Sequence, residues 1–525
     1  MQGQDNKRFT LKEKSWILYD WANSVYATNI MAAIYPPIFV SVAGQNGDHW
    51  WSLGTALTTL VIALISPFLG ALADFKGMKK RLFIAFMLLG VLTTGALAFM
   101  TDWRMMLVGY VVSHIGFSGA NLFYDSFLTD VTTNQRMDKV SSWGYAMGYI
   151  GGSTIPFLLS IGMLLWLGYG SPIAQKFAIL ITSGWWLLFS IPFLKNVHQT
   201  HYIEHPEKGR ARQAITNVLR TGKEIVSNRG LFLFVLAYFF YIDGVGTIIS
   251  ISTAYGTALG LGAMGMILAL LVTQIVAMPC SILFGKMAQK VPTRKLLLFA
   301  ISVYMVICCV GFVMGYTLEP HQDAFEAVYA GVRDDAALLL ETETLAEPEA
   351  ARGALDDYLK AAQAHILHGE DAPMFALNEA GDADAAQRLD TQLAQRLSVL
   401  QADSAATIDT LKSATRRSTI MFWAMAILVG TVQGGIQAVS RSYFGKLVPK
   451  RRSNEFFGFF DIFGKFATVI GPLLYALIGG LTGRSSWGTL ALLLLFLTGF
   501  IILYRGKEPL AQLERERMAE EAANA

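Results

Sequence analysis

The sequence predicts an all-α membrane protein whose twelve transmembrane helices form two pseudo-symmetric six-helix bundles, with an extracytoplasmic helical insert. Three observations carry that prediction. Of 525 residues, 53% are apolar and only 15% charged, whereas a typical soluble chain is about 25% charged. About twelve apolar stretches are each long enough to cross roughly 30 Å of hydrocarbon as a helix. A Gly-rich basic turn, GALADFKGMKK (Gly70 to Lys80), returns in degraded form 215 residues later as GKMAQKVPTRK (Gly285 to Lys295). In lipid a helix satisfies the backbone of such runs, and none alternates as a barrel strand would. A chain built as two repeated halves moves something across a bilayer, so no enzymatic activity is expected.

The spans are expected near 15–43, 50–73, 81–101, 104–128, 142–167, 173–194, 230–257, 261–285, 295–317, 418–442, 455–481 and 486–505. Twelve crossings place both ends of the chain on one side. Loops on that side carry the Lys/Arg runs KGMKKR, 195–229 and PKRR, which assigns it to the cytoplasm. The polar start, MQGQDNKRFTLKEK, runs straight into a long first span, so no signal peptide is expected. Cys280, Cys308 and Cys309 all fall inside predicted spans, and the adjacent pair reads as small core filler. Trp50-Trp51 and Trp185-Trp186 suit the membrane interface.

The organisation that follows is 1–194, an N-terminal six-helix bundle; 195–229, a cytoplasmic linker; 230–318 with 416–505, a C-terminal bundle; and 506–525, a cytoplasmic tail. His198, His201 and His205 lie in the linker at spacings of three and four. A metal site there competes with the plainer reading of a solvated basic linker, which we adopt: no metal and no cofactor is expected. Residues 319–415, between helices 9 and 10, hold 19 of the 39 acidic residues and are net negative, while the rest of the chain is net positive. ALDDYLKAAQAHIL and AAQRLDTQLAQRLSVLQ are rich in helix formers, with breaks around Glu347-Pro348 and Ala372-Pro373. The segment reads as a small helical cap extending helices 9 and 10 outward, or as a partly disordered acidic insert.

Gly70, Asp74, Gly77, Lys79 and Lys80 fit G-x-x-x-D-x-x-G-x-K-K, and the chain resembles the major facilitator superfamily, which carries this signature loop between helices 2 and 3. The glycines permit a tight turn against a neighbouring helix, Asp74 can meet a positive helix N-terminus, and the cations are expected to face the cytoplasm. YDWANSVYAT (Tyr19 to Thr28), FYDSFLTD (Phe123 to Asp130), VSSWGYAMGYIGG (Val140 to Gly152), LAYFFYIDGVGTI (Leu236 to Ile248), VQGGIQAVSRSYFGKLVP (Val432 to Pro449) and EFFGFFDIFGKFATVIGPLL (Glu455 to Leu474) resemble its vacuole-effluxer-like branch. That branch includes fungal vacuolar proteins associated with amino-acid export during autophagy, and many bacterial members. The resemblance implies the major facilitator fold, with helices 1, 4, 7 and 10 around a central cavity. It also implies a multi-pass protein of a bacterial inner (plasma) membrane, monomeric, that handles a small-molecule substrate.

Ionisable groups in hydrocarbon persist only when paired or facing a wet cavity, which makes each a candidate. At 1.5 Å per residue, Asp243 and Lys465 fall roughly 15–20 Å from the cytoplasmic edge. Asn29, His114, Gln274 and Gln433 reach similar depth. Lys465 can grip a substrate carboxylate or pair with Asp461 one turn earlier. Asp243 can bind an ammonium group or a coupling proton, or serve a helix broken at Gly244 and Gly246. His114 can relay protons or sit neutral in the bundle. The expected substrate-binding set is Lys465, Asp243, Asn29, Gln433 and Gln274, with Asp243 and His114 for proton coupling. Asp74, Asp20, Asp125 and Arg441 lie nearer the cytoplasmic ends and read as a gate, or as charges that only set topology. Gly148, Gly151 and Gly152 read as close-packing positions.

The function expected is a secondary transporter that moves an amino acid or similar zwitterion by alternating access, driven by protons or by the substrate gradient. No GxxxxGK[ST] loop is present for direct ATP drive, and no nucleic-acid partner is expected. Sugar, drug and organic-anion carriage stay open. So does a receptor or scaffold whose 319–415 insert binds an extracytoplasmic partner.

Overall fold

The computed structural model describes residues 8–44, 47–168, 170–204, 210–261, 263–342, 348–368, 371–375, 383–466 and 469–524. His205 and Glu347 lie outside the described residues. Among those described, twelve helical segments are long and apolar enough to cross a membrane: Leu11–Ala43, Gly47–Ala73, Met78–Leu97, Trp103–Val131, Met137–Leu167, Pro172–Asn196, Arg229–Ala258, Leu268–Met287, Thr293–Thr342, Ala405–Leu447, Lys450–Thr482 and Ser485–Arg505, here spans 1 to 12. This is the all-helical, twelve-span architecture the sequence predicts.

Each half packs by small residues. A Cβ added to Gly116 of span 4 would lie 2.3 Å from the Gly90 nitrogen of span 3. Span 5 passes through a π-helical segment, Gly148–Thr154, and span 1 through another, Ala27–Ala33. There Gly151 and Gly152 lie so close to Trp21 and Ser24 that no side chain fits between them.

The halves meet along two seams that repeat one device. On one, Gly70 of span 2 abuts Asn454 and Glu455 of span 11; on the other, Gly285 of span 8 abuts Ser142 and Asp138 of span 5. The two copies of the sequence repeat therefore mark equivalent places in the two halves. Both described ends lie on the face that carries these loops, where Glu521 of the terminal helix Lys507–Asn524 accepts from Lys450. We call it the termini face.

Spans 9 and 10 do not stop at the opposite face. Thr293–Thr342 is one helix of 50 residues and Ala405–Leu447 one of 43, about 75 and 65 Å long at 1.5 Å per residue. Their outer halves frame Pro348–His368 and Ala383–Asp403. Phe325, Tyr329, Leu355, Leu359, Leu389 and Leu411 are buried between these helices. The described residues of the acidic segment are thus largely helical, and their apolar side chains pack into a core continuous with that of the bundles. Glu319 fixes its base by accepting from the Ser486 backbone N–H at 2.8 Å and its hydroxyl at 2.6 Å, at the start of span 12.

Candidate functional site

On span 4, His114, Ser118, Asn121 and Asp125 recur at spacings of three and four and share one polar face, which Asn23 of span 1 meets at Asn121 and Arg441 of the other bundle meets at Asp125. Opposite it, Ser453–Phe466 of span 11 places Asp461 and Lys465 one turn apart. Lys465 donates to the Asp461 carboxylate, which also accepts from the Ser66 hydroxyl of span 2 at 2.6 Å. A cavity of about 220 Å³ opens here, lined by Leu122 and Asp125 of span 4, Tyr238 of span 7, and Phe457, Phe460, Asp461, Gly464 and Lys465 of span 11. Both bundles contribute to its wall.

Toward the termini face the cavity is closed by a buried latch. The Arg441 guanidinium of span 10 donates to Asp125 at 2.8 Å, to Asp20 at 3.3 Å, and to the Ser141 hydroxyl and carbonyl at 3.0 and 3.2 Å. It lies over the Trp16 and Tyr145 rings at 4.7 and 4.5 Å, a stacking that suits the planar cation. Tyr124 donates to Asp20 at 2.6 Å. One C-terminal side chain thus joins spans 1, 4 and 5 of the N-terminal half.

Two further contacts close the same face. Asp138 of span 5 accepts from Lys446, from Ser442 at 2.5 Å and from Thr293 at 3.1 Å. Asp74 accepts from the Asn454 and Glu455 backbone N–H groups at 3.0 and 3.1 Å, and from the Asn454 side chain at 2.7 Å. The free N–H groups at the start of span 11 are what a carboxylate satisfies best. Gly77 supplies the left-handed turn after Asp74, with φ 71°.

The expected residues do not all converge. Asp20, Asp125 and Arg441 form one latch and Asp74 a separate one. Lys465 lines the cavity; Asp243 does not. Asp243 is fully buried beside Thr247 and Gly471, outside that cavity. The structure therefore does not bring Asp243 and Lys465 into one pocket. The cause is angular: Tyr238 faces the cavity, and five residues later the helix has turned by about 140°. Asn29 is drawn into its own bundle, donating to Ser160 and Thr182 of spans 5 and 6 at 3.0 and 2.9 Å. Gln433 is nearly buried on span 10, and Gln274 is half-buried on span 8 with its carbonyl oxygen unpartnered among the described residues. His114 is buried beside Tyr26 and Tyr110.

Two readings of the residues are corrected. Lys79 does not face water: it is fully buried and bonds Asp130 at 2.5 Å and the Ser126 carbonyl at 3.1 Å, because the buried Asp130 needs a counter-charge. Trp186 is core, not interface, and donates to the Tyr19 hydroxyl at 3.3 Å. Sequence reasoning passed over Asp130, Asp138, Lys446 and Arg452. The available signal was their position within three residues of the ends of the blocks Phe123 to Asp130, Val140 to Gly152 and Val432 to Pro449, where charges meet span termini. Among the described residues no His, Cys and acidic cluster forms a metal centre.

A family model described as vacuole effluxer Atg22 like matches residues 50–326 and 408–512. The gap between its two blocks falls within the acidic segment. The chain is 38% identical to an uncharacterized MFS-type transporter, YxiO, of Bacillus subtilis (strain 168), over 95% of each chain. It is 22% identical to autophagy-related protein 22 of Cryptococcus neoformans var. neoformans serotype D (strain B-3501A), over 77% of this chain and 59% of that one. In fold it is similar to a bacterial homologue of the iron transporter ferroportin in an outward-facing state, with TM-score 0.56, 11% identity, and 95% and 98% of the two chains covered. The Escherichia coli fucose:proton symporter FucP gives TM-score 0.57 and 11% identity, over 94% and 97%.

Proposed function

The chain belongs to the vacuole effluxer Atg22-like family of the major facilitator superfamily, and from that premise we propose that it carries a small zwitterion, an amino acid or close analogue, by alternating access. It is a membrane transporter and not an enzyme. The observation that carries the finer reading is the pairing of Lys465 with Asp461 in a cavity that also exposes Asp125. A cation and two carboxylates within one small space match a solute bearing both charges. At about 220 Å³ the cavity falls below the ~300–1,000 Å³ of drug-sized sites, which favours a small solute over a drug.

Asp125 gives the cycle a trigger. It lines the cavity and also accepts from Arg441. A substrate ammonium that draws on Asp125 weakens the latch on the termini face, and the bundles rock. For a coupling proton we take His114 and Asp243, both buried ionisable groups on spans 4 and 7, as the candidates. By the Lys/Arg bias the termini face is cytoplasmic, in a bacterial plasma membrane.

The test is a thermal-shift screen of the purified full-length chain against amino acids, dipeptides, organic acids and sugars. Hits are followed by flux into proteoliposomes with and without a pH gradient. Stabilisation and flux by amino acids are expected; a response confined to sugars or simple organic anions overturns the zwitterion reading.

A further inference from the structure

The linker helix Arg210–Ser227 takes no part in the cavity, yet it bridges the two halves. Its Val218 packs on Ala71 of span 2 and Phe459 of span 11, and Thr221 and Ile225 are buried on the same side. Arg452, in the first turn of span 11, donates to Glu224 at 2.7 Å and to the Thr221 hydroxyl. Ala71 and Phe459 belong to membrane spans. The helix therefore rests on the outer flank of the span 2–span 11 seam, at the membrane boundary, with its other sides turned away from the protein.

Those other sides are ordered. Ile215, Leu219 and Val226 are 55%, 74% and 65% exposed and share one stripe at spacings of four and seven. Arg220 and Lys223 are exposed and have no ion-pair partner among the described residues. At about 100° per residue, the protein-facing stripe, the apolar stripe and the cations follow one another, each about a quarter turn on. A helix lying flat in a bilayer interface beside a protein needs that sequence of faces. In water the exposed stripe has no reason to persist.

We propose that Arg210–Ser227 lies in the headgroup–acyl boundary of the termini-face leaflet, its apolar stripe among acyl chains and Arg220 and Lys223 on anionic headgroups, and so straps span 2 to span 11 in the closed state. The strap and the Asp74 latch share a support: Arg452 also holds Glu455 at 3.2 Å, and the Glu455 N–H is one of the two backbone N–H groups that Asp74 accepts from. Lipid charge would thereby act on closure through cations that touch neither cavity nor latch.

The test uses the full-length chain with its native cysteines replaced by serine and Leu219→Cys carrying an environment-sensitive fluorophore. It is reconstituted in vesicles of phosphatidylcholine alone or with phosphatidylglycerol. Acyl-brominated lipid is expected to quench the label, more strongly with phosphatidylglycerol present, and Arg220→Gln with Lys223→Gln should abolish that increment. A label that stays polar and unquenched in both vesicles overturns the proposal, as does quenching indifferent to lipid charge. Energy transfer between labelled copies without lipid quenching would make the stripe a self-association surface and overturn it too. None of these readouts requires flux, so failure of the transport reading and failure of this one are separable.

Discussion

Arg441 of span 10 reaches Asp125 of span 4 at 2.8 Å, and the same Asp125 carboxylate faces the cavity that holds Lys465. A single side chain thus belongs to the closed latch and to the candidate binding site. Alternating access requires such a shared group, because a ligand shifts a conformational equilibrium only through contacts that differ between the two states.

Arg441→Ala removes the one cation that satisfies Asp20, Asp125 and the Ser141 carbonyl together. Breaking a buried pair from one side costs about 3 kcal/mol, or about two orders of magnitude in the closed-to-open ratio. Hydrogen exchange across 136–147 and 438–447 should accelerate, and flux should fall. Arg441→Lys should recover little, because an ammonium cannot fork between two carboxylates or stack on Trp16 and Tyr145. Exchange unchanged from wild type in both variants would remove the latch.

Asp74 gives closure a pH dependence. Burial, and then the neighbouring Glu455 carboxylate, push its pKa from 3.8 up to about 8. When span 11 withdraws and water reaches the loop, the group returns toward an ordinary carboxyl value. The closed arrangement therefore holds the proton more tightly. Its stabilisation is complete below the ordinary value and is lost as pH rises through about 8. Exchange of the Asn454 and Glu455 amides should quicken over that interval, and Asp74→Asn should flatten the profile. A profile that persists in Asp74→Asn assigns the titration elsewhere.

Fold and seam were readable because both depend on pattern. Runs of apolar residues demand helices in lipid, and the repeated turn at Gly70 and Gly285 marks the places where the halves touch. The position of Asp20, Asp125 and Arg441 near span ends was readable, but spacing alone left open whether such charges pair across the bundles or only set topology; their meeting in one cluster is a tertiary fact. Whether Asp243 and Lys465 pair was not readable, since depth along a helix axis says nothing about azimuth. Asp243 lies on a face of span 7 that does not line the cavity. The inward turn of Lys79 depended on Asp130, 51 residues away, a contact that local spacing does not encode.

Lys465 and Asp461 should separate binding from folding. Lys465→Met alone leaves Asp461, among the described residues, with the Ser66 hydroxyl as its donor, and should lower thermal stability and abolish substrate-induced stabilisation. Adding Asp461→Asn removes the unpaired charge, so the double variant should regain stability while remaining blind to substrate. Recovery of flux in the double variant would show that neither charge meets the solute.

Gly70 and Gly77 provide the sharpest test of the seam, because they fail for different reasons. A Cβ at Gly70 would lie 2.3 Å from the Asn454 carbonyl oxygen and 2.9 Å from its carbon, backbone atoms that cannot swing aside. Gly70→Ala should therefore wedge span 2 from span 11, at about 1–3 kcal/mol against closure. Gly77 has nothing within 4 Å but a φ of 71°, so Gly77→Ala strains its own turn by roughly 1–2 kcal/mol and leaves the seam alone. Amide exchange at Asn454 and Glu455 should rise markedly in the first variant and little in the second, while both lose some thermal stability. Equal exchange in the two would mean that the contact at Gly70 does not govern closure.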